Sequence, residues 1–204
     1  MQWFRVQAIE AINSWEVYKK LQSEKDLFNA IFAGKQAIHI FNIIQFSLIQ
    51  TTWIALAKLW DNKTREKNNV RFSIIYALIK PGSFYEAICL RYKEEYGSSV
   101  EDKFKEEISL FLEIYNKYTN GNKNNIYLDI KNIRNNFLSH ALLGGALQYS
   151  HTMDELEEFY NDSLKMLETA YSIFGVAISL SEFRDIRSRH ADNFVNIIRS
   201  LSES

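Results

Sequence analysis

One proline, Pro81, and seven glycines punctuate a chain of 204 residues. Average usage would place about ten prolines and about fourteen glycines in that length. β-rich folds spend both residues at tight turns, where glycine supplies positive φ and proline a preset one. A chain this poor in them is left with long helices and few connections, and its apolar residues recur with the helical period. The expected fold is all-α, an antiparallel helical bundle of about five to eight helices. No Pro- or Ser-rich linker, internal repeat or low-complexity stretch divides the chain, so a single domain is expected over residues 1–204.

The periodicity predicts a first helix of about twenty residues carrying Trp3, Val6, Ile12 and Val17, and a second over about 26–60. The turn formers Asp61-Asn62-Lys63-Thr64 end the second. A third covers about 69–79 and stops at Pro81-Gly82-Ser83; a short fourth reaches Tyr96-Gly97. Ser98 and Glu101 have capping-box spacing, as do Thr152 and Glu155, and each pair is read as a helix start. A sixth helix runs over about 126–143 and ends at Gly144-Gly145; a last, more charged one covers 179–204.

The 24 basic residues nearly balance 25 acidic ones, which argues against a constitutive DNA coat or a polybasic membrane binder. The single Cys89 cannot form an internal disulfide and sits in an apolar run, as a buried thiol in a reducing compartment would. Glu10 and Glu16 interrupt the N-terminal stretch where a signal peptide needs an unbroken apolar core. Residues 36–57 carry no Asp, Glu, Lys or Arg, a length that could span a bilayer. Gln36, His39, Asn42 and Gln45 recur through its first half, however, and are costly in lipid. The segment is read as a mostly buried amphipathic helix, and the protein as cytoplasmic with no membrane partner.

There is no His-Glu-x-x-His, no cysteine pair, no Gly-rich phosphate loop and no Gly-x-Ser-x-Gly elbow, so no metal and no cofactor are expected. The acidic run Asp154, Glu155, Glu157 and Glu158 is read as a solvated first turn that favours the helix dipole. The remaining candidate is Ile133-Arg134-Asn135-Asn136-Phe137-Leu138-Ser139-His140 on the sixth helix. At about 100° per residue, Ile126, Ile130, Ile133 and Phe137 form a narrow apolar stripe, with Arg134 about 60° to one side and His140 about 60° to the other. The two are about 9 Å apart along the axis and about 120° around it, so one helix does not easily close both on a small target. Two copies across a two-fold axis do, because an isologous interface brings each residue near its symmetry mate. A second Arg-to-His match lies in Arg184-Asp185-Ile186-Arg187-Ser188-Arg189-His190, where crowded charge suggests a solvated or nucleic-acid-contacting face.

Arg134-Asn135 followed by four residues and His140, on a long helix after a polar loop, resembles the R-polar-x4–6-H signature of the HEPN superfamily. Ala55-Leu56-Ala57-Lys58-Leu59-Trp60-Asp61, the basic loop to Arg71 and the helix to Ile79 resemble its abortive-infection U-type branch, as does the Thr152-capped helix after the motif. The resemblance covers about residues 30–178. It implies a homodimeric, metal-independent endoribonuclease acting as a toxin or phage-defence effector, with an antitoxin protein as a further partner. Arg134, His140 and Asn135 become the catalytic candidates, and the nearby Lys131, Ser139 and Tyr127 candidate RNA contacts. Tyr115, Tyr118 and Tyr127, around the Asn-rich loop, are read first as packing and second as base-stacking residues. Some relatives carry a tyrosine two residues after the histidine that an antitoxin modifies; Leu142 stands there, so that regulation is not carried over. Two rival readings are a non-catalytic HEPN-fold dimer binding a nucleotide or partner protein, and a plain helical interaction module.

RNA cleavage without metal needs a base for the 2′-hydroxyl, a cation for the phosphate and an acid for the leaving 5′-oxygen. Two His140 side chains can serve as base and acid, and Arg134 can hold phosphate oxygens bidentately. The need for a 2′-hydroxyl makes the substrate RNA and not DNA.

Overall fold

The computed structural model describes residues 2–61, 71–82, 84–139 and 151–203; within 134–139 only the side chain of Asn135 is described. Among the described residues there are nine helices and no strand: α1 (Gln2–Ser23), α2 (Lys25–Phe32), α3 (Ala37–Trp60), α4 (Phe72–Ile79), α5 (Tyr85–Tyr96), α6 (Ser98–Thr119), α7 (Asn124–Ser139), α8 (Met153–Ile173) and α9 (Leu180–Glu203). The all-helical class follows the expectation. The number exceeds it because residues 26–60 form two helices. Gly34, at φ +69°, takes the left-handed conformation that costs glycine nothing, and the Lys35 amide donates to the Phe32 carbonyl at 2.9 Å. The Phe28 ring then stacks on Phe41 at 4.5 Å and closes the α2–α3 turn.

The two capping-box expectations part company. At α8 the box forms: the Glu155 amide donates to Thr152 Oγ1 at 3.2 Å, and the Thr152 amide donates to Glu155 Oε2 at 3.1 Å. At α6 it does not. Gly97, at φ +87°, takes the N-cap position, its carbonyl accepts the Glu101 amide at 3.2 Å, and Ser98 is already helical. The Glu101 carboxylate instead pairs with Lys105 at 2.7 Å. Thr152→Ala should cost about 1 kcal/mol. In a chain of this size that is a fall in Tm of about 2–4 °C, measured by circular dichroism; an unchanged Tm would show that the box contributes nothing.

α1 lies between α3 and α9; α6 packs on α5 and α8; α7 closes against α3 and α6. One apolar cluster runs through this bundle from Phe4 to Leu180. Trp15 sits at one focus, its ring 5.3 Å from Trp53 and 5.4 Å from Tyr160. Trp60 forms the other. It is surrounded by Phe72, Tyr115, Tyr118, Tyr127 and Phe159, and its indole N–H donates to Ser163 Oγ at 2.9 Å. A smaller cluster of Leu21, Phe28, Phe41 and Val195 joins α2 to the ends of α1 and α9.

α3 is long and apolar enough to cross a membrane by length and composition. Its second half supplies Trp53, Leu56, Leu59 and Trp60 to the core. Its first half departs from the expected burial: Ile40 and Ile43 are each 59% exposed, and Ile44 and Phe46 are exposed as well. The expected helix end near 143, with Gly144-Gly145, lies outside the described residues.

Candidate functional site

α7 carries the Arg134 motif and is anchored at its start. Asn124 Nδ2 donates to the Tyr118 and Thr119 carbonyls at 2.9 and 2.8 Å, satisfying two free acceptors at the end of α6. Ile126, Ile130 and Ile133 are buried, so the apolar stripe faces the core as its spacing implies. The helix continues through Ser139, and its regular register therefore reaches the residue before His140. Arg134 belongs to α7 by its backbone. The side chains of Arg134 and Ser139, and all of His140, lie outside the described residues, whereas Asn135 is half-buried.

The remaining expected RNA contacts are placed differently. Tyr127 is buried, its ring 5.8 Å from that of Trp60 and its hydroxyl donating to the Trp60 carbonyl at 3.4 Å. A ring held this way packs the core, the first of the two readings given for Tyr127. Tyr115 and Tyr118 are buried too and have the packing role. Burial pushes the Tyr115 hydroxyl up to about 12, with Tyr127 and Tyr76 adding to it. Lys131 is half-buried, its ammonium 5.8 Å from the Tyr127 ring centroid, a cation–π contact that leaves the charge at the bundle's edge.

The second Arg-to-His match is taken up by the fold. Arg184 Nε donates to Glu16 Oε1 at 3.2 Å, and the guanidinium lies 5.4 Å from the Tyr160 ring centroid. Glu16 is buried and also accepts the Tyr160 hydroxyl at 3.1 Å. Burial and the neighbouring carboxylate push that tyrosine's ionisation far above its usual range. Arg184 thus fastens α9 to α1 and α8, while His190 is exposed beside Arg187.

Beside α7 lies a polar cluster that the sequence did not announce. His151, directly before the α8 cap, is 4% exposed in its side chain, and its Nε2 lies 2.8 Å from Asp129 Oδ2 on α7. Its Nδ1 is 3.7 Å from Glu155 Oε2, and Lys123 reaches Glu155 and Glu158 at 3.2 and 3.4 Å. Lys117 then bridges Glu158 and Asp162, both at 2.6 Å. Tyr118 donates to Asp162 at 2.8 Å, and burial with that carboxylate pushes its ionisation far up. On α8's other side Glu157 holds Lys19 of α1 at 2.8 Å. The acidic run read as a solvated first turn is therefore cross-linked to α1 and α6. Among the described residues no group of three or more His, Cys, Asp or Glu is placed to hold a metal ion.

These ion pairs set an acid response. The Thr152 amide and then Lys123 hold the Glu155 carboxyl below its ordinary 4.5, and Lys117 holds Glu158 below the same value. A depressed carboxyl contributes stability that is complete above the unfolded value and is lost as pH falls through the folded one. Below pH 4.5 the wild-type Tm should fall more steeply than that of the Glu155→Gln/Glu158→Gln double variant. Parallel curves would show that these pairs do not contribute.

An all-helical fold, with Arg134 on the core-facing helix α7, is consistent with the helical HEPN class. The family model HEPN_AbiU2 (AbiU2) matches residues 4–194, and the chain belongs to that abortive-infection family. The match reaches beyond the 30–178 that the motifs alone covered and takes in most of α1 and of α9. No curated protein and no solved structure matches.

Proposed function

We propose that this protein is a metal-independent endoribonuclease that acts as a toxin or phage-defence effector, with its site formed at the cleft of a homodimer. The observation that carries the reading is the position of Arg134 on α7, a core-anchored helix whose register extends to the residue before His140, within a chain matched by an abortive-infection HEPN family over residues 4–194. The same setting would present Arg134 and His140 to their symmetry mates. One His140 takes the proton of the 2′-hydroxyl, and the 2′-oxygen attacks phosphorus. The bond from phosphorus to the 5′-oxygen breaks, and the partner's His140, as imidazolium, protonates the leaving oxygen. Arg134 stabilises the charge that builds on the phosphate oxygens, and Asn135 orients Arg134 or the 2′-hydroxyl. Lys131 adds a contact to the RNA backbone. The products are a 2′,3′-cyclic phosphate and a 5′-hydroxyl. The enzyme works in the cytoplasm on RNA, and a neutralising antitoxin protein holds it in check.

The test is incubation of the purified protein with RNA in the presence of EDTA, with end-group analysis of the products and light scattering to determine mass. Metal-independent cleavage to cyclic phosphate by a species of twice the chain mass is expected. A monomer, or intact RNA, would overturn the proposal.

A further inference from the structure

α7 packs mainly on α3 and α6 and only lightly on α8. Among the described residues a polar contact joins α7 to the start of α8. His151 Nε2 meets Asp129 Oδ2 at 2.8 Å while its other nitrogen faces Glu155, itself held by the Thr152 amide and Lys123. Asp129 precedes Arg134 by five positions, about 7.5 Å along the helix. In the sequence His140 lies between Ser139, the last described residue of α7, and His151. A hydrogen bond to a carboxylate, made by an imidazole shielded from water, is among the stronger and more directional contacts a side chain can make.

We infer that His151 is a positioning residue: with Asp129 it clasps the start of α8 to α7 and thereby sets both ends of the segment that carries His140. The inference rests on the proposed cleavage site for its consequence, but the clasp itself can be tested without activity. His151 is too buried to meet substrate and acts through the geometry of Arg134 and His140. A shift of about 1 Å in such a site costs on the order of 100-fold in rate.

The experiment compares wild type, His151→Ala, His151→Gln and Asp129→Asn by hydrogen exchange and RNA cleavage. Exchange in the last turn of α7 and the first turn of α8 should rise about tenfold or more in His151→Ala, with α1 and α3 unchanged. His151→Gln, which keeps a donor, should recover much of the protection. Unchanged exchange at the two turns, or a uniform rise across the chain, overturns the clasp. Where wild type cleaves RNA, His151→Ala should lower kcat about 10- to 100-fold with KM little changed, and should lose nothing further in a His140→Ala background. Equal losses in both backgrounds would overturn the positioning role. If wild type leaves RNA intact, the proposed function fails and the exchange data still decide the clasp.

Discussion

Replacing His140 by alanine should lower RNA cleavage by at least about 100-fold while leaving the fold intact, because proton transfer to and from the reacting oxygens contributes about 10²–10⁴-fold. The effect is doubled in kind: in a two-fold cleft one substitution removes the base from one side and the acid from the other. Arg134→Ala should be of comparable size, since removing a donor aimed at developing charge costs about 10²–10³-fold. Arg134→Lys should recover only part, as an ammonium cannot grip two phosphate oxygens in the planar fork of a guanidinium. Expression in a bacterial host reads the same chemistry, with toxicity lost in His140→Ala. Cleavage that persists undiminished in His140→Ala would remove this histidine from the site. Arg184→Ala is the matched control. It should leave cleavage per folded molecule unchanged and lower stability, since Arg184 is engaged with Glu16 and Tyr160.

Trp60→Ala should be the most damaging single change to the fold, lowering unfolding free energy by about 3–5 kcal/mol in urea titration. Trp60 is the point where α3 meets α4, α6, α7 and α8, through rings at 5.3–5.9 Å and the bond to Ser163. Truncating it opens a cavity between helices that cannot all collapse at once, against a total stability of about 5–15 kcal/mol. Trp60→Phe should retain much of the packing and lose about 1 kcal/mol with the indole donor. Because Tyr127 of α7 rests on Trp60, the alanine variant should also lose cleavage beyond its loss of folded protein. A Trp60→Ala variant less than about 1 kcal/mol below wild type would show that the aromatic cluster is not the keystone of the bundle.

The motif helix was legible because two local patterns coincide on it: isoleucines at helical spacing and Arg-polar-x4-His. Neither needs a distant residue to be recognised. The clasp was not legible, since Asp129 and His151 are 22 positions apart and nothing in either neighbourhood names the other. The lysine partners of the solvated acidic turn of α8 were not legible for the same reason. Which lysines of α1 and α6 come to face it depends on how those helices pack. Capping boxes show the limit of a spacing rule: Thr152 follows an extended backbone that lets its hydroxyl turn in, whereas Gly97 already occupies the cap ahead of Ser98. For Tyr127 packing was the first reading, and tertiary structure supplies its partner, since α7 turns it onto Trp60.

By itself the sequence determined the helical class, the family, and the helix that carries Arg134, because periodicity, scarcity of breakers and a short motif are properties of neighbouring residues. Tertiary structure decided which Arg-His match is already spent on the fold, which tyrosines are core, where the charges of α8 find partners, and that the apolar first half of α3 is left uncovered. Those outcomes depend on which helix faces come to lie against one another, and that is set by the packing of the whole bundle around Trp15 and Trp60.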